Sequence, residues 1–273
     1  MGKIIDIHVH LHPPRLFKAI RLWFAENTDW DLQHATTPEE VCKVLRENNV
    51  ERFAFCSYAH KPGMAEELND WLLKTAVEIQ LYGLPLATVH VEDDNNVQML
   101  DNAMKRGAIG LKIHEDVQQF GIDDVRLRLP LDVVGAHGGF VLAHIGPIPW
   151  DNKPYYAPAR VESVVASHPQ VNFVIAHLGV PDTEEFLRLT LNYPNLYLDT
   201  TMALALAQKV GVTIDAQMLR THTTKLVFGS DYPNIPYAYY TEAEKLKDMI
   251  KDEPGRNRIF YKNAEKIMGL TGS

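Results

Sequence analysis

The chain has few cysteines, no long apolar run and no block of basic residues, and each shortage narrows its class. Only Cys42 and Cys56 occur in its 273 residues, in no metal-binding spacing, which indicates buried thiols in a reducing compartment. No apolar run approaches the roughly 20 residues that cross a bilayer, and residues 1–10 already have the pattern of a folded strand. We therefore expect a cytoplasmic protein without a membrane span or signal peptide.

Positive charge is also scarce, because 27 Lys and Arg residues face 35 Asp and Glu residues and the net charge is −8 at pH 7. Without a basic block the chain cannot neutralise a phosphate backbone, so the expected partner is a small-molecule substrate, and neither nucleic acid nor a membrane. No Pro/Gly/Ser linker or low-complexity tract divides the chain, and residues 1–273 are predicted to form a single domain.

Eight short β-type segments alternate with amphipathic helical segments. Several of these strands are nearly continuous apolar runs, which is typical of strands covered by helices on both faces. Eight strand–helix units in a chain of this length favour a closed (β/α)8 TIM barrel, with an open doubly wound sheet as the competing architecture. The predicted strands span residues 3–10, 51–58, 84–91, 109–115, 139–146, 171–179, 195–201 and 225–231.

Helix starts are visible at Thr37 and Thr241, because each is followed three residues later by the glutamate of a capping box. Gly107 and Pro169 follow two other helical segments and are typical stop signals. The further predicted helices span residues 65–80, 95–106, 159–168, 182–192 and 257–268.

Two connections are longer than usual, residues 11–36 and residues 147–158. In a barrel they are predicted to be loops at the carboxyl ends of the strands, where active sites of this architecture lie. Trp150 and Tyr155, in the second of these loops, are therefore predicted to contact the substrate.

The first strand alternates polar and apolar residues. Since successive side chains of a strand point to opposite faces, Asp6, His8 and His10 are predicted to share one face. Polar residues recur at the carboxyl ends of the later strands, which meet at one rim if the barrel closes. They are His90, Lys112, His114, His144, His177, Asp199 and Asp231.

The repetition carries more information than any single residue. A lone buried histidine such as His90 is usually a hydrogen-bonded core residue, whereas A-H-I-G and A-H-L-G place His144 and His177 alike on consecutive strands. Inward polar groups without partners would each cost roughly a few kcal/mol of lost hydration. A bound divalent cation would offset this cost. Imidazole and carboxylate ligands suit Zn²⁺, with Mn²⁺ or Fe²⁺ possible.

Taken together, these motifs resemble the amidohydrolase superfamily, in particular the amidohydrolase-related group that includes aminocarboxymuconate semialdehyde decarboxylase. The resemblance runs from D-I-H-V-H through G-L-K-I-H, A-H-I-G, A-H-L-G and F-G-S-D-Y-P to F-Y-K-N-A-E-K-I-M-G-L. The set is specific for the superfamily and much less specific for a substrate. Relatives are often dimers, so the resemblance implies a possible homodimer.

The resemblance also implies roles for individual residues. It gives His177 a catalytic role in contact with the reactive water or the substrate. Asp231, in contact with both the metal and the water, is then expected to act as the proton shuttle. Asp6 is expected to support a ligand or the strand from behind. The implied ligands of a single metal ion are His8, His10, His144 and Asp231.

Lys112 leaves the number of metals open. In two-metal relatives a carbamylated lysine on the fourth strand bridges the metals, and G-L-K-I-H-E-D resembles such a segment. Similarity over the whole chain favours one metal and an unmodified, catalytic Lys112 that holds a substrate carboxylate or oxyanion, with His114 assisting it as a substrate ligand. An ion pair of Lys112 with Glu115 or Asp116 is the structural alternative.

The first expected reaction is hydrolysis of a C–N or C–O bond in a small amide, cyclic amide, ester or lactone by a metal-activated water. Decarboxylases and hydratases of the same group use a similar centre, so lyase chemistry on a carboxylated substrate is the alternative, and Arg160 as a second pocket cation would favour it. A metal-dependent nuclease has a glutamate where this chain has Lys112, and a non-catalytic barrel would be expected to lack Asp231. Both are disfavoured.

Overall fold

Parallel strands form the centre of the molecule, and helices cover them on the outside. The computed structural model describes residues 2–32, 34, 37–145, 158–206 and 212–270. Eight strands lie in this part of the chain, each within or close to a predicted segment: β1 (Ile4–His10), β2 (Val50–Cys56), β3 (Gly83–Pro85), β4 (Gly110–His114), β5 (Phe140–His144), β6 (Asn172–Ile175), β7 (Leu196–Asp199) and β8 (Leu226–Val227).

Backbone hydrogen bonds close these strands into a barrel. Neighbours pair in the orders β1-β2-β3 and β4-β5-β6-β7-β8. After β3, the Ala87 amide donates to the Gly110 carbonyl at 2.8 Å, and after β8 the Asp231 amide donates to the His8 carbonyl at 2.7 Å. An open doubly wound sheet would leave two edges unpaired, so the predicted (β/α)8 barrel is confirmed.

Helices follow the strands around the barrel, and all the helical segments predicted from the sequence are present. No helix in the described part of the chain is both long enough and apolar enough to span a membrane. The helices are α1 (Pro14–Asn27), α2 (Pro38–Glu47), α3 (Ala65–Glu78), α4 (Asn96–Lys105), α5 (Glu115–Gln118), α6 (Arg128–Ala136), α7 (Pro158–Ser167), α8 (Thr183–Asn192), α9 (Ala203–Leu206), α10 (Ala216–Thr221), α11 (Tyr240–Met249), α12 (Glu253–Asn257) and α13 (Asn263–Ile267).

Several helices lie where the sequence predicted none, and the longest of them are α1 and α6. The connection of residues 11–36 contains α1, so its prediction as a loop is wrong. Phe17 is the buried residue of this helix, and an apolar face of one residue leaves little helical periodicity to detect in the sequence. The helix α6 contains Pro130 and Gly135, which usually break helices. Pro130 is tolerated because it lies in the first turn, where a missing N–H costs no hydrogen bond within the helix.

The two predicted capping boxes have different outcomes. At the start of α2, the Glu40 amide donates to Thr37 Oγ1 at 3.3 Å and the Thr37 amide donates to Glu40 Oε2 at 3.2 Å, so this box is confirmed. The box at Thr241 is wrong. Helix α11 begins one residue earlier, at Tyr240, and its N-terminal residue Tyr239 makes no side-chain capping bond.

Apolar side chains form an inner and an outer layer around the strands. The inner cluster takes alternate residues of several strands, such as Phe140 and Leu142, together with Ala264 of α13. The larger outer cluster packs strand residues such as Phe53 against the helices. A side chain of the first strand therefore reaches the centre of the barrel only if it lies on the inner face.

A bulge in β1 decides which of its side chains enter the barrel. The register of β1 against β2 shifts between Asp6 and Val9, and Asp6 Oδ1 accepts a hydrogen bond from the His8 amide at 3.1 Å. Ile7 belongs to the inner cluster and Val9 to the outer one, so the strict alternation that would place Asp6 on the face of His8 and His10 is wrong. The irregularity brings both histidines inward after Ile7.

We expect Thr37→Ala to lower the free energy of unfolding by about 1 kcal/mol, because it removes the hydroxyl that caps α2. Thr241→Ala is the matched control, since Thr241 lies within α11 and caps nothing; its effect should stay within about 0.5 kcal/mol. Chemical denaturation of both variants measures the difference, and a larger loss in Thr241→Ala would contradict this account of the two helix starts.

Candidate metal centre

Two imidazoles and one carboxylate converge where β1 and the segment after β8 meet. Asp231 Oδ1 lies 2.7 Å from His10 Nε2 and 3.3 Å from His8 Nε2, and the two imidazole nitrogens are 3.2 Å apart. Asp231 has a left-handed backbone conformation with φ of 61°, and its amide bond to the His8 carbonyl holds it beside the strand. Three of the four predicted ligands are thus brought together.

The protonation of these groups suits a metal site. Burial, reinforced by the nearby Lys112 ammonium, holds the pKa values of His8 and His10 well below their usual range. Neutral imidazole is the form that binds a metal. Burial also raises the pKa of Asp231 to about 7, so this carboxyl group can both release and accept a proton near neutral pH.

Cys56 lies close to two of the predicted ligands, a position that the sequence did not suggest. Ligand atoms of His8, His10 and Cys56 lie within 4.8 Å of one another, so the three form a possible metal site. The Cys56 thiol donates to the Val9 carbonyl at 3.5 Å and lies 3.7 Å from His10 Nδ1, and burial raises its pKa to about 12. Since a thiol binds metal as thiolate, Asp231 is the better third ligand. Cys56 had no motif to mark it; only its register opposite His10 does so.

Lys112, on β4, brings its side chain to the same cluster of histidines. Its side chain is fully buried, and its Nζ lies 3.0 Å from His8 Nε2. Glu115, offered from the sequence as a partner in an ion pair, instead accepts a hydrogen bond from the Ile122 amide. The ammonium group therefore faces the histidine cluster.

His144, the fourth predicted ligand, lies in a neighbouring group of rings. Its Nδ1 is 2.9 Å from His177 Nε2, and its ring stacks on His114 with a centroid separation of 4.0 Å and an interplanar angle of 9°. His177 links the two groups, because its ring centroid is 5.7 Å from that of His8. His144 therefore lies next to the group formed by His8, His10 and Asp231 and is not part of it.

Asp199 connects the two groups, and the sequence marked it only as a polar residue at a strand end. Its Oδ2 lies 2.8 Å from His8 Nδ1, while its Oδ1 accepts hydrogen bonds from the backbone amides of His177 at 2.8 Å and Thr201 at 3.0 Å. A carboxylate on the far nitrogen of a ligating histidine orients the ring and increases its basicity. Asp199 has this relation to His8.

Asp6 supports the centre through the backbone and not from the face that the sequence predicted. It pairs in register with Phe53 of the outer cluster. Its Oδ1 accepts from the amides of His8 and Ser230, each at 3.1 Å, and its Oδ2 accepts from the Tyr239 hydroxyl at 2.9 Å. Asp6 therefore fastens β1 to the segment that carries Asp231.

The remaining predicted site residues differ in whether the structure brings them to the site. Trp150 and Tyr155 lie outside the described residues. His114 is at the rim, with its ring 5.0 Å from that of Tyr58. The guanidinium of Arg160 pairs with the Asp123 carboxylate, which neutralises the charge that was considered for holding a substrate.

This arrangement defines a class of protein: a barrel enzyme with a candidate metal centre at the carboxyl ends of its strands. The particular family follows from comparison with known proteins. The family model described as Amidohydrolase matches residues 5–270, so the chain belongs to the amidohydrolase family. Members of this family bind a divalent metal, in agreement with the converging histidines.

Similarity to individual proteins is lower. The chain is 29% identical over 101 residues to Protein fluG of Emericella nidulans, a match that covers 34% of this chain and 11% of the fungal protein. The matched segment is thus about a tenth of that relative's length.

Several solved structures share the fold over their whole length. They include an uncharacterised TIM-barrel protein from Bordetella bronchiseptica, with a TM-score of 0.75, 19% identity and 100% of both chains covered. A 2,6-dihydroxybenzoate decarboxylase from Rhizobium has a TM-score of 0.72 and 16% identity, again over 100% of both chains. A probable 2-pyrone-4,6-dicarboxylic acid hydrolase from Acinetobacter baumannii has a TM-score of 0.68 and 17% identity, over 98% of this chain and 100% of its own. At these identities the likeness shows the fold alone.

We expect Asp199→Asn to weaken Zn²⁺ affinity by about 10–100-fold, because an amide holds the His8 ring less strongly than a carboxylate does. Competition with a chromophoric chelator at fixed pH measures it. Glu242→Gln is the matched control, since both carboxylates are 0% exposed and that of Glu242 accepts hydrogen bonds from the backbone amides of Leu204 and Ala205, away from the histidines. Equal weakening by the two variants would show that Asp199 acts through folding alone.

Proposed function

We propose that this protein is a metal-dependent hydrolase that cleaves a C–N or C–O bond in a small amide, cyclic amide, ester or lactone. The observation that carries the proposal is the position of Asp231, whose Oδ1 lies within 3.3 Å of both His8 Nε2 and His10 Nε2. A carboxylate at the metal ligands can accept a proton from the attacking water and return it at the reacting atoms.

The donor set fits a divalent transition metal. Two neutral imidazoles and one carboxylate match the three protein ligands of catalytic zinc sites, and a fourth position remains for His144 or a water. We propose His8, His10 and Asp231, with His144 completing the set, as ligands of one Zn²⁺; Mn²⁺ or Fe²⁺ accept the same donors. When bound, such a cation lowers the pKa of water from 15.7 toward about 7 and polarises a substrate oxygen.

The protein's own residues then divide the work. Asp231 takes the proton of the attacking water and delivers it to the leaving nitrogen or oxygen, so that it acts first as general base and then as general acid. Lys112 is fully buried, and its ammonium stabilises the negative charge that develops on the substrate oxygen. The His114 ring, which lies beside Tyr58, contacts the bound substrate.

A decarboxylase is the second candidate, and Lys112 is the observation that favours it. A fully buried cation at the site suits a substrate that carries a carboxylate. Two proteins of the same fold have carboxylated compounds in their names, a 2,6-dihydroxybenzoate decarboxylase and a probable 2-pyrone-4,6-dicarboxylic acid hydrolase. The two candidates therefore share the site and differ in the substrate class and in the bond that breaks.

The reaction is tested with the Zn²⁺-loaded protein and a panel of lactones, cyclic amides, esters and carboxylated aromatics. We expect hydrolysis, with one oxygen atom from H₂¹⁸O in the product, and a fall of at least about 10²-fold in kcat for Asp231→Asn because the proton shuttle is lost. Release of CO₂ without incorporation of ¹⁸O would replace the hydrolase by the decarboxylase. Full activity of Asp231→Asn at saturating Zn²⁺ would remove the shuttle role.

Lys112→Met provides a separate test of the charge at the site. We expect its Zn²⁺ affinity to rise by about tenfold, because removing the ammonium removes its repulsion of the cation and frees the His8 Nε2 lone pair. Its kcat/KM for a carboxylated substrate should fall. The exposed Lys105 provides the control, Lys105→Met, which should change neither value. A loss of bound metal in Lys112→Met would instead indicate a carbamylated lysine that bridges two metals.

A further inference from the structure

We propose that a groove beside α1 binds the part of the substrate that is remote from the reacting bond. The group that it takes is an uncharged apolar ring with a hydroxyl, and that hydroxyl forms a hydrogen bond with His12 Nε2. The inference deepens the function proposed above, because it names the chemical group that accompanies the bond to be broken, and it rests on that function for the occupant being a substrate.

The groove is lined by one face of α1, by residues 28–32 and by the start of α2, and its volume is about 840 Å³. Cavities of this size are typical of small-molecule sites. Helix α1 contributes the side chains of Phe17 and Leu22, and the buried Trp30 and Leu32 lie on the other side. An apolar ligand that covers such surface removes it from water, which is favourable.

The charged side chains of the groove balance one another. Two cations, Lys18 and Arg21, are matched by two anions, Asp29 and Asp31, so the formal charges cancel. Arg21 also donates from Nη1 to the His34 carbonyl at 3.4 Å. A charged occupant would meet as many like charges as opposite ones, so the lining favours an uncharged group.

Hydrogen bonds join the Trp30 side of the groove to the segment that carries Asp231. Trp30 Nε1 donates to the Asn234 carbonyl at 3.1 Å, and the Asn234 amide donates to the Asp231 carbonyl at 2.8 Å. His34 Nε2 lies 2.7 Å from the Tyr237 carbonyl oxygen. The groove is therefore built against the same segment as the candidate metal centre.

A smaller cavity adjoins the groove on the side of the histidines. The two have Phe17, Thr37 and Pro38 in common, and the smaller one is also lined by His10 and His12. Its volume is about 10 Å³, which is close to the space that one water molecule needs. One oxygen atom of a ligand fits there, next to a proposed metal ligand.

His12 supplies a polar atom at this inner cavity. The residue is 4% exposed, and its Nδ1 lies 2.8 Å from Ser57 Oγ. Its Nε2 is buried and has no hydrogen-bond partner within the described part of the chain. Such a nitrogen is costly to leave unpaired whether it carries a proton or a lone pair. A hydroxyl both donates and accepts, so it fits either form of the ring.

Stacked rings connect the inner cavity with the groove. The His12 ring lies 5.4 Å from that of His10, with an interplanar angle of 21°, and 5.7 Å from that of Phe17, with an angle of 23°. Phe17 is the buried residue of α1 and lines both spaces. A flat ring in the groove can pack against Phe17 while its hydroxyl extends to His12.

Naphthalene and 2-naphthol are suitable probes, because both are uncharged fluorescent rings and they differ by one hydroxyl. Their Kd values are measured by fluorescence titration of the full chain in the presence of Zn²⁺. Ala25→Trp fills the groove, whereas Ala19→Trp adds the same side chain at a position of α1 that does not line it. Both alanines are exposed, which makes the second variant a matched control.

We expect the wild type to bind 2-naphthol about fivefold more tightly than naphthalene, the increment of one net hydrogen bond. Ala25→Trp should weaken the binding of both probes by at least about tenfold, because the ring can no longer be buried. Ala19→Trp should leave both Kd values within about twofold of the wild type. Wild-type affinity in Ala25→Trp would overturn the proposal.

The role of His12 is tested by His12→Phe and His12→Gln. Phenylalanine keeps a stacked ring without the nitrogen, so the preference for 2-naphthol should disappear. Glutamine keeps a group that donates and accepts, so part of the preference should remain. An unchanged preference in His12→Phe would overturn the proposed contact. Thermal unfolding shows whether each variant is folded, and if His12→Phe is not, loss of the preference in a folded His12→Asn replaces it.

Probe binding requires no turnover, so it separates this inference from the reaction assignment. Failure of every substrate in the panel would remove the reaction and leave the Kd values of the variants interpretable. Hydrolysis by a protein whose Ala25→Trp variant binds both probes normally would instead leave the reaction and remove the groove. For a panel substrate with a hydroxylated ring, Ala25→Trp should raise KM and keep kcat within about twofold, because the groove holds the ring and not the reacting bond.

Discussion

The site depends on one irregularity, the bulge in β1 where the Asp6 carboxylate accepts the His8 amide. A regular strand would send Ile7 and His8 to opposite faces. With the bulge, Ile7 completes the inner apolar layer and the next two histidines enter the barrel above it. The other oxygen of Asp6 binds Tyr239, and Oδ1 also binds the Ser230 amide, so the same carboxylate closes the barrel beside Asp231.

Burial of charge then determines the chemistry. His8, Lys112, Asp199 and Asp231 are each at most 7% exposed, and such groups are costly in a low-dielectric interior unless they are paired. The imidazoles respond by remaining neutral, while burial raises the pKa of Asp231 to about 7. These are the states in which nitrogen ligands bind a cation and a carboxyl group exchanges protons. Burial thus raises the free-energy cost of the charged groups, and it also holds the histidines in the neutral form that binds a cation.

The carboxylates around the histidines act at different distances from the proposed metal. Asp231 faces the Nε2 atoms of His8 and His10 directly, Asp199 contacts the far nitrogen of His8, and Asp6 reaches only its backbone. The membership of the chain in the amidohydrolase family is consistent with this centre. In the two proposed reactions Lys112 binds either the oxyanion that develops in hydrolysis or the carboxylate of a decarboxylase substrate.

Much of this protein can be predicted from its sequence. Hydrophobic runs between helical segments determined the eight strands and the barrel, and A-H-I-G, A-H-L-G and G-S-D-Y-P marked His144, His177 and Asp231, because local patterns report which residues are buried and where strands end. Tertiary structure alone decided that Asp6 lies on the outer face, that Cys56 and Asp199 approach the ligands, and that both nitrogens of His177 are engaged. These features depend on a register shift and on contacts between residues up to 233 positions apart, and no periodicity within a single segment encodes them.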